Sequence, residues 1–136
     1  MFTYKRSVNL QDADPAGVVF FGKVYDFAQE AFEEMLKEID FPINRIIYQS
    51  EIIFPIINSQ AEYPIPIRLG HDLVINVMIG KLSDSSFTLV YEFFHGDSLV
   101  CRVKTIHVAV NRKKWEKDLI PGHLKNDLGK LKRFEE

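Results

Sequence analysis

DADPAGVVFFGKVYDFAQEAFEEML, residues 12–36, decides the fold because its hydrophobic pattern changes period partway through. From Tyr25 onward, the apolar residues recur at the spacing of a single helix face. They are Tyr25, Ala28, Phe32, Met35, Leu36 and Ile39. This spacing predicts a helix over residues 22–39, about 27 Å long at ~1.5 Å per residue. Asp40 and Pro42 follow the last apolar position and should end it.

Alternating apolar residues predict strands on both sides of this helix. Residues 2–10 alternate loosely before it. After it, residues 72–82, 86–95 and 98–111 are stronger strand candidates, and the short links SDSS and GD between them are turn-like. We therefore expect these three consecutive strands to form an antiparallel meander.

A proline-rich stretch and two weaker segments complete the pattern. EIIFPIINSQAEYPIPI, residues 51–67, is rich in strand-forming residues, but its prolines cannot donate hydrogen bonds to a sheet. It should therefore be an irregular strand or an edge strand. Residues 43–50 are ambiguous, with a short helical turn as one interpretation. Residues 112–136 are basic and then mixed in charge, and one short helix is expected there.

The order of these elements predicts an α+β fold. The chain has 136 residues, which fits a single domain over residues 1–136. One long helix against an antiparallel sheet of five to six strands is a known solution for such an order. Because a single helix covers only one face of a sheet, the other face or an edge should contact a partner chain.

Composition argues against several classes of partner. The net charge is -2, from 17 basic and 19 acidic residues, so no general attraction to nucleic acid or to an anionic membrane is expected. No apolar run approaches the ~20 residues of a membrane span, and the N-terminus lacks the apolar segment of a signal peptide. Cys101 is the only cysteine, so no internal disulfide can form, which suits a cytoplasmic protein.

Other catalytic arrangements fit the sequence poorly. The four histidines lack metal-ligand spacing, so neither a metal nor a cofactor is expected. Cys101 and His107 lie on one predicted strand about 20 Å apart, at ~3.3 Å per residue, which is too far for a catalytic dyad. GDSL at residues 96–99 matches a serine hydrolase signature, but it falls between two predicted strands, where a hairpin turn favours glycine and aspartate.

Asp12 and Asp14 begin the quoted stretch, and two interpretations of them remain open. Acidic residues are favourable near the start of a helix because they complement its dipole. Asp14, however, lies about eight residues before the periodic helix, and Pro15 pushes it towards an extended conformation. The apolar run that follows indicates that this loop packs inward. The second interpretation is therefore a functional carboxylate at an apolar pocket.

The same stretch resembles the signature of the 4-hydroxybenzoyl-CoA thioesterase family, in which Asp-x-Asp-x-x-Gly-Val/Ile-Val-aromatic-aromatic leads into a central helix. The likeness continues through YPIPIRLGHDLVINV, SSFTLVYEF and LVCRVKTIHVAVN, and covers about residues 3–121. Within the family, the greatest similarity is to a subgroup that hydrolyses 1,4-dihydroxy-2-naphthoyl-CoA in phylloquinone synthesis. The segments that carry this similarity are FTYKRSVNLQDADPAGVVFF and FPIINSQAEY. One position departs from the pattern, since His71 stands where the family more often has aspartate.

This resemblance implies a hot-dog fold and a homodimer or homotetramer with the acyl-CoA site at the dimer interface. It places the catalytic carboxylate on Asp14, acting as nucleophile or general base, and the oxyanion-stabilising backbone N–H on Phe21. Residues expected to line the substrate pocket are Gly17, Phe20, Tyr25 and Phe54. Residues expected to contact CoA are Ser85, Ser86, Arg112, Lys113 and Lys114.

Several functions remain open at this point. The leading expectation is an acyl-CoA hydrolase with an aromatic substrate, and a general fatty acyl-CoA thioesterase would use the same carboxylate. A hot-dog dehydratase is less favoured, because such enzymes use a histidine with an acid on the helix and residues 22–39 contain no histidine. A non-catalytic acyl-CoA-binding protein is the remaining alternative.

Overall fold

The central helix forms where the hydrophobic period predicts it. In the computed structural model, which describes residues 2–135, helix α1 spans Lys23–Glu38. Phe27, Ala31 and Met35 on its apolar face are completely buried. Two residues after the helix ends at Glu38, Asp40 has a left-handed backbone with a φ of 59°. The predicted bounds of 22–39 are therefore correct to within one residue at each end.

A five-stranded antiparallel sheet packs against α1. Its strands, in spatial order, are β1 (Phe2–Ser7), β4 (Asp72–Leu82), β5 (Ser86–His95), β6 (Ser98–Val108) and β3 (Ile56–Glu62). Strands β4, β5 and β6 form the predicted meander, and β3 lies at the edge, as its flanking prolines predicted. The α+β hot-dog architecture is confirmed.

Short elements surround this sheet. Strands β2 (Ile52–Ile53) and β7 (Val110–Asn111) form a separate two-stranded sheet. Helix α2 (Ile43–Gln49) settles the ambiguous segment after α1 as a helix, and helix α3 (Gly122–Gly129) is the single helix expected near the C-terminus. No helix in the described part of the chain has both the length and the apolar character to cross a membrane.

Two predicted strands are too long. The first ends at Ser7 and not at residue 10, because a 3-10 turn over Leu10–Asp12 follows it. The last predicted strand, 98–111, breaks after Val108. There the backbone N–H of Ala109 donates to the carbonyl of Ser85 at 2.8 Å, which directs the chain away from β5 and towards β2.

The core lies between α1 and the inward face of the sheet. Inward side chains of β4, β5 and β6 that are completely buried include Ile75, Val77, Leu89, Phe93 and Val103. The C-terminal segment reaches the outer face of the sheet. Phe134 donates its backbone N–H to Ile79 at 2.8 Å, and its ring lies 5.3 Å from the guanidinium carbon of Arg102 on β6. The sequence pattern did not predict this cover.

Candidate active site

Asp14 lies in a tight turn that its own carboxylate organises. The backbone N–H of Asp14 donates to Val18 O, and that of Gly17 donates to Asp14 O, both at 2.9 Å. Oδ1 of Asp14 accepts from the N–H groups of Ala16 at 2.8 Å and Val18 at 3.2 Å. Gly17 has a φ of 76°, a left-handed conformation that favours glycine. Asp14 is exposed, and its Oδ2 has no hydrogen-bond partner within the described part of the chain.

The turn is held against the segment that leads into β4. The N–H of Leu69 donates to Gly17 O at 2.9 Å, and the N–H of Val19 donates to Ile67 O at 2.8 Å. Val18 and Arg68 form an antiparallel bridge between these two contacts. The position of the Asp14 carboxylate therefore depends on residues more than fifty positions later in the chain.

The residues after this turn form the start of α1. Lys23 N–H donates to Phe20 O at 2.9 Å, which closes the turn before the helix. The N–H of Phe21 has no acceptor among residues 2–135, as is common for the first N–H groups of a helix. Tyr63 donates its hydroxyl to Phe21 O at 2.7 Å and so holds the Phe21–Gly22 peptide, which follows the one that carries this N–H. An unpaired donor at the positive end of a helix dipole is a suitable site for developing negative charge.

An apolar cavity of about 190 Å³ opens beside this helix start. Its lining consists of Val18, Val19, Phe21, Val24, Tyr63, Ile65, Pro66 and Ile67. Phe20 contacts Phe21 with ring centroids 4.6 Å apart and ring planes inclined by 46°, but it does not line the cavity and is 58% exposed. Sequence reasoning missed Tyr63 and Ile65. The alternation of apolar residues with Pro64 and Pro66 was the available signal.

Tyr25 lines a second cavity, of about 290 Å³, between α1 and the β3 edge. Its lining residues are Tyr25, Asp26, Ala28, Gln29, Ile56, Ser59, Tyr91 and Thr105. Thr105 Oγ1 lies 2.8 Å from Nε2 of the buried His107. Burial lowers the pKa of His107 to about 4, so its imidazole is neutral near pH 7, and burial raises the pKa of Tyr91. The lining of this cavity therefore combines hydroxyl groups, among them those of Tyr91 and Thr105, with the carboxylate of Asp26.

Phe54 lines neither cavity. Its ring packs on Phe87 with centroids 5.7 Å apart, and its carbonyl lies 3.5 Å from Nδ1 of His107. Tyr63 is at the other end of β3, so the length of that strand, about 20 Å at ~3.3 Å per residue, separates the two aromatic residues. Within one chain the structure does not bring Phe54 near Asp14.

Asp12 has an environment opposite to that of Asp14. It is buried, and its carboxylate accepts from Arg6 at 2.6 Å and from the N–H of Asn9 at 2.9 Å. Lys23 lies 3.8 Å away. Burial alone would raise the pKa of Asp12, but the Arg6 and Asn9 hydrogen bonds and the two cations outweigh it and hold that pKa below its usual range. Arg6 of β1 also pairs with Glu30 of α1 at 2.6 Å. Asp12 is therefore part of an ion-pair network that joins β1 to the helix.

Ser85 lies in the turn between β4 and β5, and Ser86 is the first residue of β5. The hydroxyl of Ser86 is 2.8 Å from that of Ser83, and the N–H of Ser86 donates to Ser83 Oγ at 3.1 Å. Ser85 O accepts the Ala109 N–H. These bonds shape the turn, and a role of either serine in binding CoA stays a prediction.

The predicted basic cluster divides into two parts. Arg112 donates to the carbonyl of Ile46 in α2 at 2.7 Å, so its guanidinium helps to hold that helix. Lys113 and Lys114 use their backbone N–H groups to bond Asn111 Oδ1 at 3.0 and 3.1 Å. Both lysines are exposed, and their ammonium groups have no acidic partner in the described residues. They are therefore better suited than Arg112 to bind a phosphate.

Comparison with known proteins agrees with this architecture. The family described as the thioesterase-like superfamily matches residues 8–128. A 1,4-dihydroxy-2-naphthoyl-CoA hydrolase of Trichodesmium erythraeum is 33% identical over 113 residues, which is 81% of this chain and 82% of the relative. One from Nostoc punctiforme is 29% identical over 123 residues, covering 90% of this chain and 83% of its own. The crystal structure of a 1,4-dihydroxy-2-naphthoyl-CoA thioesterase from Synechocystis superposes with a TM-score of 0.89 at 29% identity, over 96% of each chain.

The chain has one long helix wrapped by one antiparallel sheet, and it matches a solved thioesterase over nearly its full length. These two observations define the hot-dog class of enzyme folds. The chain belongs to the thioesterase-like superfamily. The family and the fold expected from the sequence are thus confirmed, whereas the roles of individual site residues stay predictions.

Proposed function

We propose that the protein hydrolyses an aromatic acyl-CoA thioester to the free acid and CoA, and that 1,4-dihydroxy-2-naphthoyl-CoA is its substrate. The observation that carries this proposal is the arrangement of Asp14 and Phe21. An exposed carboxylate with an unpaired oxygen lies on the turn that leads directly to a free N–H at a helix start. The names of the relatives from Trichodesmium, Nostoc and Synechocystis supply the acyl group.

The proposed reaction needs one attacking group and one oxyanion donor. Asp14 attacks the thioester carbonyl to form an anhydride, or it removes a proton from the water that attacks. In either route the C–S bond breaks, CoA leaves as its thiolate, and water supplies the oxygen and the protons of the products. The N–H of Phe21 stabilises the negative carbonyl oxygen, and a donor in such a place is worth about 3–4 kcal/mol.

The cavity beside Tyr25 supports a hydroxylated aromatic acyl group. Aromatic side chains provide flat walls, and Ser59, Gln29 and Thr105 provide polar groups around them. A site that forms hydrogen bonds with ring hydroxyls should reject analogues that lack them, because its own polar groups would then stay unpaired. In this proposal Phe21 and the apolar cavity around it contact the part of the acyl chain next to the sulfur.

We propose that the working unit is a homodimer or a larger assembly of the same chain. Strand β3 is an edge strand, and Ile57 on it is 63% exposed. Exposed apolar edge strands are prone to pair with another chain. Light scattering at micromolar concentration tests this, and a fully active particle of 15.8 kDa would contradict it.

Lys113 and Lys114 are the proposed contacts for the CoA phosphates. Arg112, Ser85 and Ser86 are proposed as further contacts to CoA. A cytoplasmic location and a role in phylloquinone synthesis belong to the same proposal. The single cysteine, which is buried, is compatible with a reducing compartment. Purification from the native cytoplasmic fraction, and loss of the naphthoquinone product on gene deletion, are the matching tests.

The function is tested by kcat/KM for three thioesters under one condition. Dihydroxynaphthoyl-CoA should give the highest value, benzoyl-CoA an intermediate one and palmitoyl-CoA the lowest. If palmitoyl-CoA gives the highest value, the protein is a general fatty acyl-CoA thioesterase that uses the same Asp14. If a correctly folded dimer hydrolyses none of the three, a non-catalytic acyl-CoA-binding role replaces the proposal.

A further inference from the structure

The turn that supports the Asp14 loop has an imidazole as one of its hydrogen-bond acceptors. Residues 67–69 hold that loop through the bonds to Gly17 and Val19 and the bridge to Val18. Immediately after them, Nδ1 of His71 accepts the backbone N–H of Arg68 at 3.2 Å. His71 is also the position at which the sequence departs from the pattern of the family it resembles.

The backbone of this turn depends on several short bonds. The N–H of His71 donates to Arg68 O at 3.1 Å, and Gly70 donates to Val8 O at the same distance. The N–H of Val8 donates back to His71 O at 2.8 Å, so β1 also holds the turn. Gly70 has a φ of 88°, where a side chain would be strained. The His71 ring adds the one side-chain bond to this set.

His95 at the end of β5 keeps the His71 ring in place. The two imidazoles stack with centroids 3.8 Å apart and planes inclined by 12°. The titratable or charged groups that act on His71 are His95 from β5 and Arg68 from its own turn, both of which oppose a positive charge there. Asp72, the next residue in β4, has its carboxylate engaged by the hydroxyl of Ser7 in β1 at 2.6 Å.

We propose that His71 is a positioning residue whose neutral imidazole, stacked on His95, holds the Arg68 backbone and through it the Asp14 turn, and whose protonation releases that turn. A proton from solvent would occupy Nδ1, so the Arg68 N–H would face a donor and not an acceptor. The new charge would also lie against His95 and beside Arg68. The catalytic part of this inference rests on the proposed function, but its structural part does not.

The direction of the pH effect follows from burial and from these neighbours. Burial, His95 and Arg68 together lower the pKa of His71 below its usual 6.5. The unfolded chain therefore binds this proton more readily than the folded one. The stabilisation of the turn by neutral His71 is therefore complete above pH 6.5. It is lost as the pH falls through the lower pKa that His71 has in the folded protein.

Two substitutions separate the hydrogen bond from the ring stack. His71→Asn places an amide oxygen near the position of Nδ1 and cannot be protonated in this range. His71→Phe keeps a ring against His95 but removes the acceptor. His123→Asn is the matched control, because His123 is an exposed histidine in α3, 3.6 Å from Asp127.

The experiment combines hydrogen exchange at the Leu69 amide with steady-state kinetics on dihydroxynaphthoyl-CoA from pH 5 to pH 8. The Leu69 N–H bonds Gly17 O, so its protection, corrected for the intrinsic pH dependence of exchange, reports on the docked turn. In the wild-type protein protection and kcat should fall together in the acid range. His71→Phe should lose protection at pH 7 and about tenfold in kcat, with KM changed less than about twofold.

His71→Asn should keep the protection of the Leu69 amide and kcat at pH 7, and neither should then fall in acid as in the wild type. His123→Asn should match the wild type at every pH. Wild-type protection and kcat in His71→Phe would overturn the inference. If His71→Phe does not fold, an unchanged acid decrease in His71→Asn would overturn it. If the wild-type protein hydrolyses no thioester, the proposed function fails, and the exchange data alone decide the role of His71.

Discussion

Asp12 and Asp14 are two residues apart, yet the fold gives their carboxylates opposite environments. Asp12 is buried and bonded to Arg6, with Lys23 nearby. Asp14 is exposed, and only N–H groups of its own turn bond it. A buried carboxylate with cationic partners holds elements together, because its hydrogen bonds and ion pairs join groups that lie apart in the chain. A carboxylate with an unpaired oxygen beside a cavity is available for chemistry. The difference gives Asp12 a structural role and supports the proposed catalytic role of Asp14.

The largest effect on stability should come from Asp12→Asn. This change removes one of the two carboxylates that pair with Arg6, leaving Glu30 as the other, and the loss of such a charge-assisted hydrogen bond costs about 1.5–3 kcal/mol. Urea denaturation measures the free energy of unfolding. Asp14→Asn is the control, since its amide oxygen keeps the turn bonds, and its stability should stay within about 0.5 kcal/mol of the wild type. Equal losses in the two variants would remove the distinction between the carboxylates.

The stability difference between Asp12→Asn and the wild type should shrink in acid. The pKa of Asp12 is lowered in the folded protein from its usual 3.8, so the unfolded state binds the proton more readily. The stabilisation is therefore present above pH 3.8 and is lost as the pH falls through the folded pKa. Unfolding free energies of both proteins at pH 7, 4 and 3 measure this. A difference that is constant over the range would show that the charge of Asp12 does not stabilise the fold.

Much of the fold could be predicted from the sequence because its elements are locally encoded. The period of Tyr25, Ala28 and Phe32 defined α1, and the alternation over residues 72–95 defined two central strands. The break after Val108 was not predictable, because it depends on a bond from Ala109 to a distant turn. The cover of the outer face by Phe134 depends on distant contacts in the same way.

The candidate site was only partly predictable. Pro15 and the helix start pointed to Asp14, since both are adjacent to it in the chain. The role of Asp12 depends on Arg6 and Glu30, which sequence spacing does not connect to it. Tyr63 was missed for the same reason, because it is 42 positions from Phe21 in the chain and approaches it only in the folded protein.

Substitutions of Lys113 and Lys114, in the basic turn after β7, should have a smaller effect, which concerns substrate binding. Lys113→Ala combined with Lys114→Ala should raise KM severalfold and leave kcat nearly unchanged, because a phosphate contact is the same in the ground state and the transition state. The effect should decrease at high salt. Arg112→Ala is the contrasting variant and should mainly reduce stability, since it removes the bond to Ile46. If the double variant has the KM of the wild type, the two lysines are only part of the solvated surface.

The smallest expected effect concerns the backbone of Phe21, whose N–H is the proposed oxyanion donor. Tyr63→Phe removes the hydroxyl bond to Phe21 O, at a cost of about 0.5–1.5 kcal/mol. We expect kcat to fall a few fold while KM stays similar. Tyr48→Phe is a suitable control because Tyr48 is 83% exposed. If the two variants have equal kcat, Tyr63 does not position the Phe21 peptide.

The central claim is that the Asp14 carboxylate acts on the thioester carbonyl. Its most direct test is the rate of a single turnover of dihydroxynaphthoyl-CoA with enzyme in excess, measured by rapid quench for the wild type, Asp14→Asn and Asp12→Asn. Binding of CoA, measured by calorimetry, should be the same in all three. We expect the chemical step to slow at least about a hundredfold in Asp14→Asn and less than about fivefold in folded Asp12→Asn. A wild-type rate in Asp14→Asn would contradict the account.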